Sequence, residues 1–173
     1  SGSTIGPSRV VVPNEIKLLE PKETIECMVG IDFSSASDRD GSFHAKLEIK
    51  FGSGGVPVDI KPSIGDVLLP CNRSVAEFDS ATSRMHGFNR VETKCSLVDS
   101  EDLEARIVSR IALSRVGKWQ DGNLRLVGAL PASSDPVYVL VKHGEGKIIV
   151  YCDHALVVNS VMNSLKRAVS TTT

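Results

Sequence analysis

The sequence lacks several features that would assign it quickly to a class of protein. No apolar run approaches the roughly 18 to 20 residues that a membrane-spanning helix needs. The first residues, SGSTIGPS, place no charged segment before an apolar one, so a secretory signal peptide is not expected. The GSGG at positions 52–55 is not followed by a helix that begins with Lys and Ser or Thr, so it predicts no phosphate-binding loop.

Neither sign of charge dominates the chain. It carries 20 Lys and Arg against 21 Asp and Glu, for a formal net charge of -1. A general nucleic-acid binder needs a basic face that displaces counterions, so we expect no nucleic-acid partner. The 173 residues, 41% of them apolar, suit one large or two small domains with packed cores.

The cysteines show no regular spacing. Cys27, Cys71, Cys95 and Cys152 contain no CxxC pair, and a chain of this size does not depend on disulfides. Reduced thiols in the cytosol are therefore favoured over disulfides. The four histidines show no paired ligand spacing with the cysteines, so neither a metal nor another cofactor is expected.

Period-two alternation of apolar and polar residues marks the first half. FHAKLEIKF at 43–51 alternates cleanly, as do TIECMVGIDF at 24–33 and the residues at 56–60, while the polar segment at 34–42 predicts a turn. Antiparallel strands with one apolar face usually pack against a second sheet, and apolar residues before Pro21 could supply part of it. We predict a β-sandwich over residues 1–70.

The segment IKPSIGDVLLP at 60–70 predicts a stiff linker at the end of the sandwich. Its two prolines cannot donate a ladder hydrogen bond, and each restricts the preceding residue to extended geometry. Gly65 allows a turn, and Leu68 and Leu69 can anchor the segment by apolar contact. We place the boundary between two subdomains near Pro70.

The second half changes period and predicts an α+β platform over residues 71–170, with 171–173 as a tail. RVETKCSLV at 90–98 alternates as a strand, and helical spacing follows over 99–117, with Asp99 or Ser100 as cap and Gly117 after the end. Three strands, a hairpin at HGEG and a final helix over 155–169 complete the order β-α-β-β-β-α. Such an order predicts an antiparallel sheet with helices on one face. The expected buried side of the last helix is Val157, Val158, Val161, Met162, Leu165, Ala168 and Val169.

Several motifs in this order resemble one family. VGIDF at 29–33, IKPSIGDVLLP at 60–70, GFN at 87–89 and the closing segment at 140–170 resemble the C-terminal appendage, or ear, of the beta subunit of adaptor protein complex three. The resemblance runs from about Pro13 to Ser170 and rests on several motifs at similar spacing. Over residues 100–135 only the pattern matches.

The resemblance implies a mixed fold, with an immunoglobulin-like β-sandwich followed by the β-α-β-β-β-α platform. In the family the sandwich begins some tens of residues earlier than this chain does. If its first strands are absent here, an exposed strand edge is expected. The implied function is non-enzymatic protein docking in a coat adaptor that carries proteins from Golgi and endosomal membranes towards lysosomes or vacuoles. The implied partners are the other adaptor subunits and accessory proteins with short linear motifs, on the cytosolic face of those membranes, with membrane contact only through the complex.

Related appendages bind aromatic and acidic motifs in platform pockets built from an aromatic and a basic residue. By that analogy Trp119, Phe88, Arg90 and Arg125 are the candidate peptide-binding residues. Trp119 is the only tryptophan and stands in the polar segment GKWQDGN, where an exposed ring could anchor a peptide. The alternative, slightly favoured, is that Trp119 folds back onto the end of the preceding helix as part of the core.

Two other functions compete with docking by short motifs. The domain could fold onto its own subunit as an intramolecular regulatory or structural element. More remotely, Cys71 or Cys95 with His86 could form the nucleophile and base of a hydrolase, although structural thiols and a loop histidine are favoured. The carboxylates at 101, 102 and 104 suit the first turn of a helix better than a catalytic pair, and no catalytic residue is predicted.

Overall fold

The computed structural model describes residues 9–11, 20–32, 43–97, 100–119, 122–131 and 133–169. The apolar residues at 12–19 and the predicted turn at 34–42 lie outside these ranges. Within them the fold class is mixed, as predicted: the sheets are antiparallel and are accompanied by four α-helices. This is consistent with a β-sandwich part followed by an α+β platform.

The first part of the chain forms two small antiparallel sheets. β1 (Arg9–Val11) pairs with β2 (Gly30–Asp32), and β3 (Ala45–Phe51) forms a hairpin with β4 (Gly54–Ile60). The reversal at GSGG and the alternation of β3 are as predicted. The strand predicted over 24–33 is much shorter, because residues 23–29 form no ladder and are exposed.

The rest of the chain builds one larger sheet with helices. The elements of this part in chain order are α1 (Ile64–Val67), β5 (Leu69–Pro70), α2 (Val75–Thr82), β6 (Arg90–Lys94), α3 (Ser100–Val108), β7 (Ser114–Arg115), β8 (Asn123–Ala129), β9 (Pro136–Lys142), β10 (Lys147–Tyr151) and α4 (Ala155–Val169). The strands form one sheet in the order β5-β8-β9-β10-β6, all neighbours antiparallel, with β7 also paired to β8. We call this the central sheet.

The larger core cluster lies between the central sheet and helices α3 and α4. Alternate residues of β9, namely Val137, Val139 and Val141, belong to it, as do Leu103 and Ile107 of α3. The predicted buried side of α4 is confirmed at all seven positions. The predicted strand, helix, three strands and helix correspond to β6, α3, β8, β9, β10 and α4, with the short β7 as an additional strand after α3, and both predicted helices lie in one layer.

Two features of the platform differ from the prediction. Helix α3 ends at Val108, because Ser114 and Arg115 form β7 and pair with β8 instead of continuing the helix. Gly117 therefore follows a strand and does not cap the helix. The predicted cap Asp99 and the side chain of the predicted cap Ser100 lie outside the described residues.

The second difference is helix α2, which the sequence reading left unassigned. Its Phe78 is buried in a smaller core cluster that contains Tyr138, Val127 and Ile149. These residues alternate along β8, β9 and β10 with those of the larger cluster, so they occupy the opposite face of the central sheet. Helices therefore cover both faces.

The proline-framed segment at 60–70 is docked along its length. Ile64 and Leu68 are buried in the larger core cluster, and Leu69 pairs with Ala129 at the edge of the central sheet. A Cβ on Gly65 would lie 2.9 Å from the Cβ and Oγ of Ser164 in α4, so only glycine permits this close approach. The segment is thus held against α4 and β8.

Candidate functional site

Helix α2 begins with a capping box that the sequence SVAE encodes. The backbone N–H of Ser74 donates to Oε2 of Glu77 at 2.8 Å, and the backbone N–H of Glu77 donates to Oγ of Ser74 at 3.3 Å. These reciprocal bonds satisfy donors that the first helical turn leaves free. The Ser74 hydroxyl also donates to Oε2 of Glu77 at 2.7 Å, and the bonds from the Ser74 backbone N–H first and from this hydroxyl second lower the pKa of the Glu77 carboxyl.

Two further contacts fix α2 over the central sheet. The ring of Phe78 meets the ring of Tyr138 edge to face, with centroids 5.3 Å apart and planes at 89°. The Nε of Arg125 on β8 donates to Oδ1 of Asp79 at 3.1 Å. Helix α2 therefore lies over β8 and β9, held by an apolar anchor and an ion pair.

A cleft runs beside α2, with Tyr138 of β9 in its wall. One part of it has a volume of about 560 Å³ and an adjoining part about 350 Å³. Ala81, Arg84 and Tyr138 line both parts, which makes them one continuous surface that we call the α2 cleft. The other lining residues are Arg73, Ala76, Glu77 and Ser80 in the larger part, and Met85, Pro136 and Asp153 in the smaller part.

The lining of the α2 cleft carries two arginines, Arg73 and Arg84, and two carboxylates, Glu77 and Asp153. The pKa of the Arg73 guanidinium lies above its usual value, because of the charge of Cys71 first and the hydrogen bond with Tyr138 second. The Nε of Arg84 donates to the Ser80 carbonyl at 3.1 Å. In the part of the chain that the structure describes, neither arginine forms an ion pair with a carboxylate. Both guanidiniums can therefore accept an anionic partner.

The four residues predicted for peptide binding do not meet in one pocket. Arg125 is tied to α2, whereas Arg90 pairs with Glu92 and lies over the ring of Tyr151 at 6.0 Å. The register places Arg125 on β8 and Arg90 on β6, which are separated by two strands of the central sheet. Arg125 contacts α2 through Asp79, whereas Arg90 lies in the same cross-strand row as Tyr151 and Tyr138; among the residues that line the α2 cleft, neither arginine is present.

The two predicted aromatic anchors have opposite environments. Phe88 is 87% exposed on the short 3₁₀ turn Gly87–Asn89 that precedes β6. Trp119 is half-buried, packs against the larger core cluster and meets His143 at a ring distance of 6.4 Å. The environment of Trp119 therefore agrees with the alternative prediction that its ring packs as part of the core.

Sequence reasoning missed Arg73, Arg84 and Tyr138. A local signal existed for the helix, since SVAE is a capping-box sequence followed by buried Phe78. No local signal joins Tyr138 to the arginines, because the contact depends on how β9 is placed under α2. The α2 cleft is thus a product of tertiary structure.

Two of the four thiols, including the predicted nucleophile Cys95, do not have the chemistry of a catalytic cysteine. All four cysteines are free, and burial raises the pKa of Cys95 and raises that of Cys152 to about 11. A nucleophilic cysteine needs the opposite shift. Among the described residues, no group of three His, Cys, Asp or Glu could hold a metal ion. No helix in this part of the chain is long and apolar enough to cross a bilayer.

Comparison with known proteins gives a weak but consistent similarity. No protein-family model matches the chain. It is 25% identical over 125 residues, 72% of its length, to the AP-3 complex subunit beta-1 of Canis lupus familiaris and to that of Bos taurus. The chain spans 10% of the length of these relatives. The similarity suggests a relation to an adaptor subunit.

Proposed function

We propose that this chain is a non-enzymatic docking appendage of a vesicle-coat adaptor complex, and that the α2 cleft receives short linear segments of accessory proteins. The proposal places the chain on the cytosolic face of Golgi and endosomal membranes, in transport towards lysosomes or vacuoles. The weak similarity to an adaptor beta subunit supports the setting. The α2 cleft supports the mechanism.

One observation carries the proposal: two guanidiniums without carboxylate partners in the described structure flank the aromatic ring of Tyr138. Arginine binds carboxylates through paired N–H donors, and its planar group also stacks on aromatic rings. A segment that alternates acidic and aromatic side chains can therefore satisfy both arginines while an aromatic side chain packs against Ala81, beside the small part of Tyr138 that is exposed. A cleft of this shape holds a few side chains, not a whole domain.

The affinity of a single segment should be modest. Exposed arginine–carboxylate pairs are screened by salt and contribute little individually, and ordering a flexible peptide opposes binding. We expect a dissociation constant of about 10 to 100 μM. Many appendages on one coat then supply the avidity that a single site lacks.

The direct test uses a fluorescent peptide that carries phenylalanines among aspartates and glutamates, titrated with the purified protein and followed by anisotropy. The double variant R73A/R84A should weaken binding about tenfold or more, because it removes both cationic groups of the α2 cleft. The matched control K61A/R106A removes two exposed cations elsewhere and should leave the affinity unchanged. Equal binding by R73A/R84A and the wild type would contradict the proposal.

Four residues stay predicted peptide contacts, namely Phe88, Arg90, Trp119 and Arg125. The effect expected from substitution differs among them. Phe88 is exposed and could bind a second part of a longer segment, so F88A would weaken a long peptide and spare a short one. Arg125→Ala should act indirectly, by releasing Asp79 and loosening α2. Both variants belong in the same titration.

A further inference from the structure

The apolar face of the β3–β4 hairpin is covered at only one end. Directly opposite pairs on this face are Ala45 with Ile60, Leu47 with Val58 and Ile49 with Val56. Ala45 is buried in the larger core cluster, but Ile49 is 59% exposed and Phe51, at the end of β3, is 61% exposed. A two-stranded sheet is marginally stable in water, so a half-covered apolar face favours further pairing.

The two outer edges of the hairpin are not equivalent. Pro57 lies opposite Glu48 in the middle of β4. A proline inside a strand occupies a position whose N–H would point away from the paired strand, so the outer edge of β4 lacks a donor at its centre. In an antiparallel pair, directly opposite residues direct their backbone N–H and C=O either both towards the partner strand or both away from it, and these two cases alternate along the strand. Glu48 lies opposite Pro57, so its N–H and C=O point outward from β3, and so do those of Lys46 and Lys50. In the described residues no strand pairs with this edge.

The polar face of β3 has a defined charge pattern. Lys46, Glu48 and Lys50 alternate with the apolar residues, and Nζ of Lys50 lies 3.5 Å from Oε2 of Glu48. Asp59, directly opposite Lys46, pairs with Nε2 of His44 at 3.2 Å; this hydrogen bond first, and the charge of Lys46 to a lesser degree, lower the pKa of the Asp59 carboxyl, while Lys46 itself forms no ion pair within the described structure. A strand added beside β3 would place its own alternate side chains next to these three residues.

We propose that the outer edge of β3 binds an extended segment of another protein by strand addition, and that the segment alternates apolar residues with acidic ones. Acidic side chains would lie beside Lys46 and Lys50, a neutral one beside Glu48, and the apolar residues would extend the face formed by Ile49, Phe51 and Val56. This site shares no residue with the α2 cleft and is independent of it. Main-chain hydrogen bonds supply affinity, and the side-chain pattern supplies selectivity.

The test uses a labelled heptapeptide, Val-Glu-Val-Thr-Val-Glu-Val, with blocked ends and a solubilising tag. Its control, Val-Lys-Val-Thr-Val-Lys-Val, keeps the backbone and apolar pattern and reverses the charges. The glutamate peptide should bind about tenfold more tightly than the lysine peptide. In the variant K46E/K50E the preference should reverse, whereas R106E/K118E, which makes the same charge changes outside the hairpin, should retain it.

Two further arms test the main-chain contacts. N-methylation of alternate amides of the glutamate peptide, made in both registers, should abolish binding in the register that faces β3. Glu48→Pro removes the central outward donor without removing a bond to β4, so it should also abolish binding while the hairpin resonances persist. Binding unaffected by N-methylation in either register would overturn strand addition.

Other occupants of the face give distinct results. A second copy of this chain would appear as a concentration-dependent dimer that Glu48→Pro dissociates, together with failure of the glutamate peptide to bind, and would overturn the proposal. Failure of both heptapeptides without dimerisation would overturn it as well. These outcomes concern the β3–β4 hairpin alone. The titration of the α2 cleft varies Arg73 and Arg84, which lie outside the hairpin, so the two proposals can fail separately.

Discussion

Leu68 and Leu69 are adjacent leucines in opposite environments. Leu68 is 3% exposed and belongs to the larger core cluster, whereas Leu69 is 47% exposed at the edge of the central sheet. Leu68→Asp should lower the free energy of unfolding by about 3 kcal/mol or more, because it buries an unpaired carboxyl. Leu69→Asp, measured in the same urea titration, should cost less than about 1 kcal/mol. Equal costs for the two would show that Leu68 is not part of the core.

A second residue-scale prediction concerns Asp135 and pH. Its Oδ2 lies 2.8 Å from Nε2 of His154, and hydrogen bonds from His154 first and Ser133 second lower the pKa of this carboxyl. A lowered pKa in the folded state stabilises the protein above the unfolded pKa of about 3.9, and this contribution is lost as the pH falls through the folded value. Asp135→Asn should therefore be less stable than the wild type near neutral pH.

The size and pH range of this effect are limited by solvent. The Asp135 side chain is 43% exposed, so the difference at about pH 7 should stay below about 1 kcal/mol. The difference in unfolding free energy between Asp135→Asn and the wild type should disappear as the pH falls below about 4. Urea unfolding followed by circular dichroism measures it. Asp153→Asn removes a neighbouring charge before the same helix and serves as the control. A difference for Asp135→Asn that persists into acid would show that the lost interaction does not depend on the carboxylate.

At the scale of the element, helix α2 depends on its first turn. It has eight residues, and an isolated helix of this length is only marginally stable in water. Phe78 is its one buried residue, so few apolar contacts hold the helix in place. Ser74→Ala removes the hydroxyl of the capping box and should cost about 1 kcal/mol. Amide hydrogen exchange should accelerate over the first turn of α2, and the acidic peptide should bind more weakly because the wall of the α2 cleft is less ordered.

Ser83→Ala provides the matched control for that experiment. Ser83 lies at the other end of α2, and its hydroxyl donates to the Ser80 carbonyl at 2.9 Å. Its loss should leave exchange in the first turn unchanged. Slow exchange in Ser74→Ala would mean that Phe78 and Asp79 hold the helix without the cap.

Elements with a long regular pattern were predictable, and elements set by pairing were not. Helix α4 was predictable because seven apolar residues at helical spacing face one side over four turns. Helix α3 was predicted too long, because Ile111 and Ala112 continue the apolar pattern at helical spacing although the chain beyond Val108 leads into β7. Non-local pairing with β8 overrode the local signal there.

At the scale of the whole molecule, the candidate site could not be predicted for the same reason. Tyr138 reads as an ordinary strand residue, and Arg73 and Arg84 read as solvated charges beside a short helix. Only the placement of α2 on the second face of the central sheet brings them together. Of the predicted contacts, Phe88 lies in the turn before the edge strand β6 and Arg90 is the first residue of that strand. Their part in binding stays a prediction.

The central claim is that docking takes place in the α2 cleft. The most direct test is to map amide chemical-shift changes in the isotopically labelled protein as the unlabelled acidic, phenylalanine-containing peptide is added. The account predicts saturable changes centred on Arg73, Ala81, Arg84 and Tyr138, with little change around Trp119. Changes confined to the β3–β4 hairpin or to Trp119, or no saturable change in the α2 cleft, would contradict it.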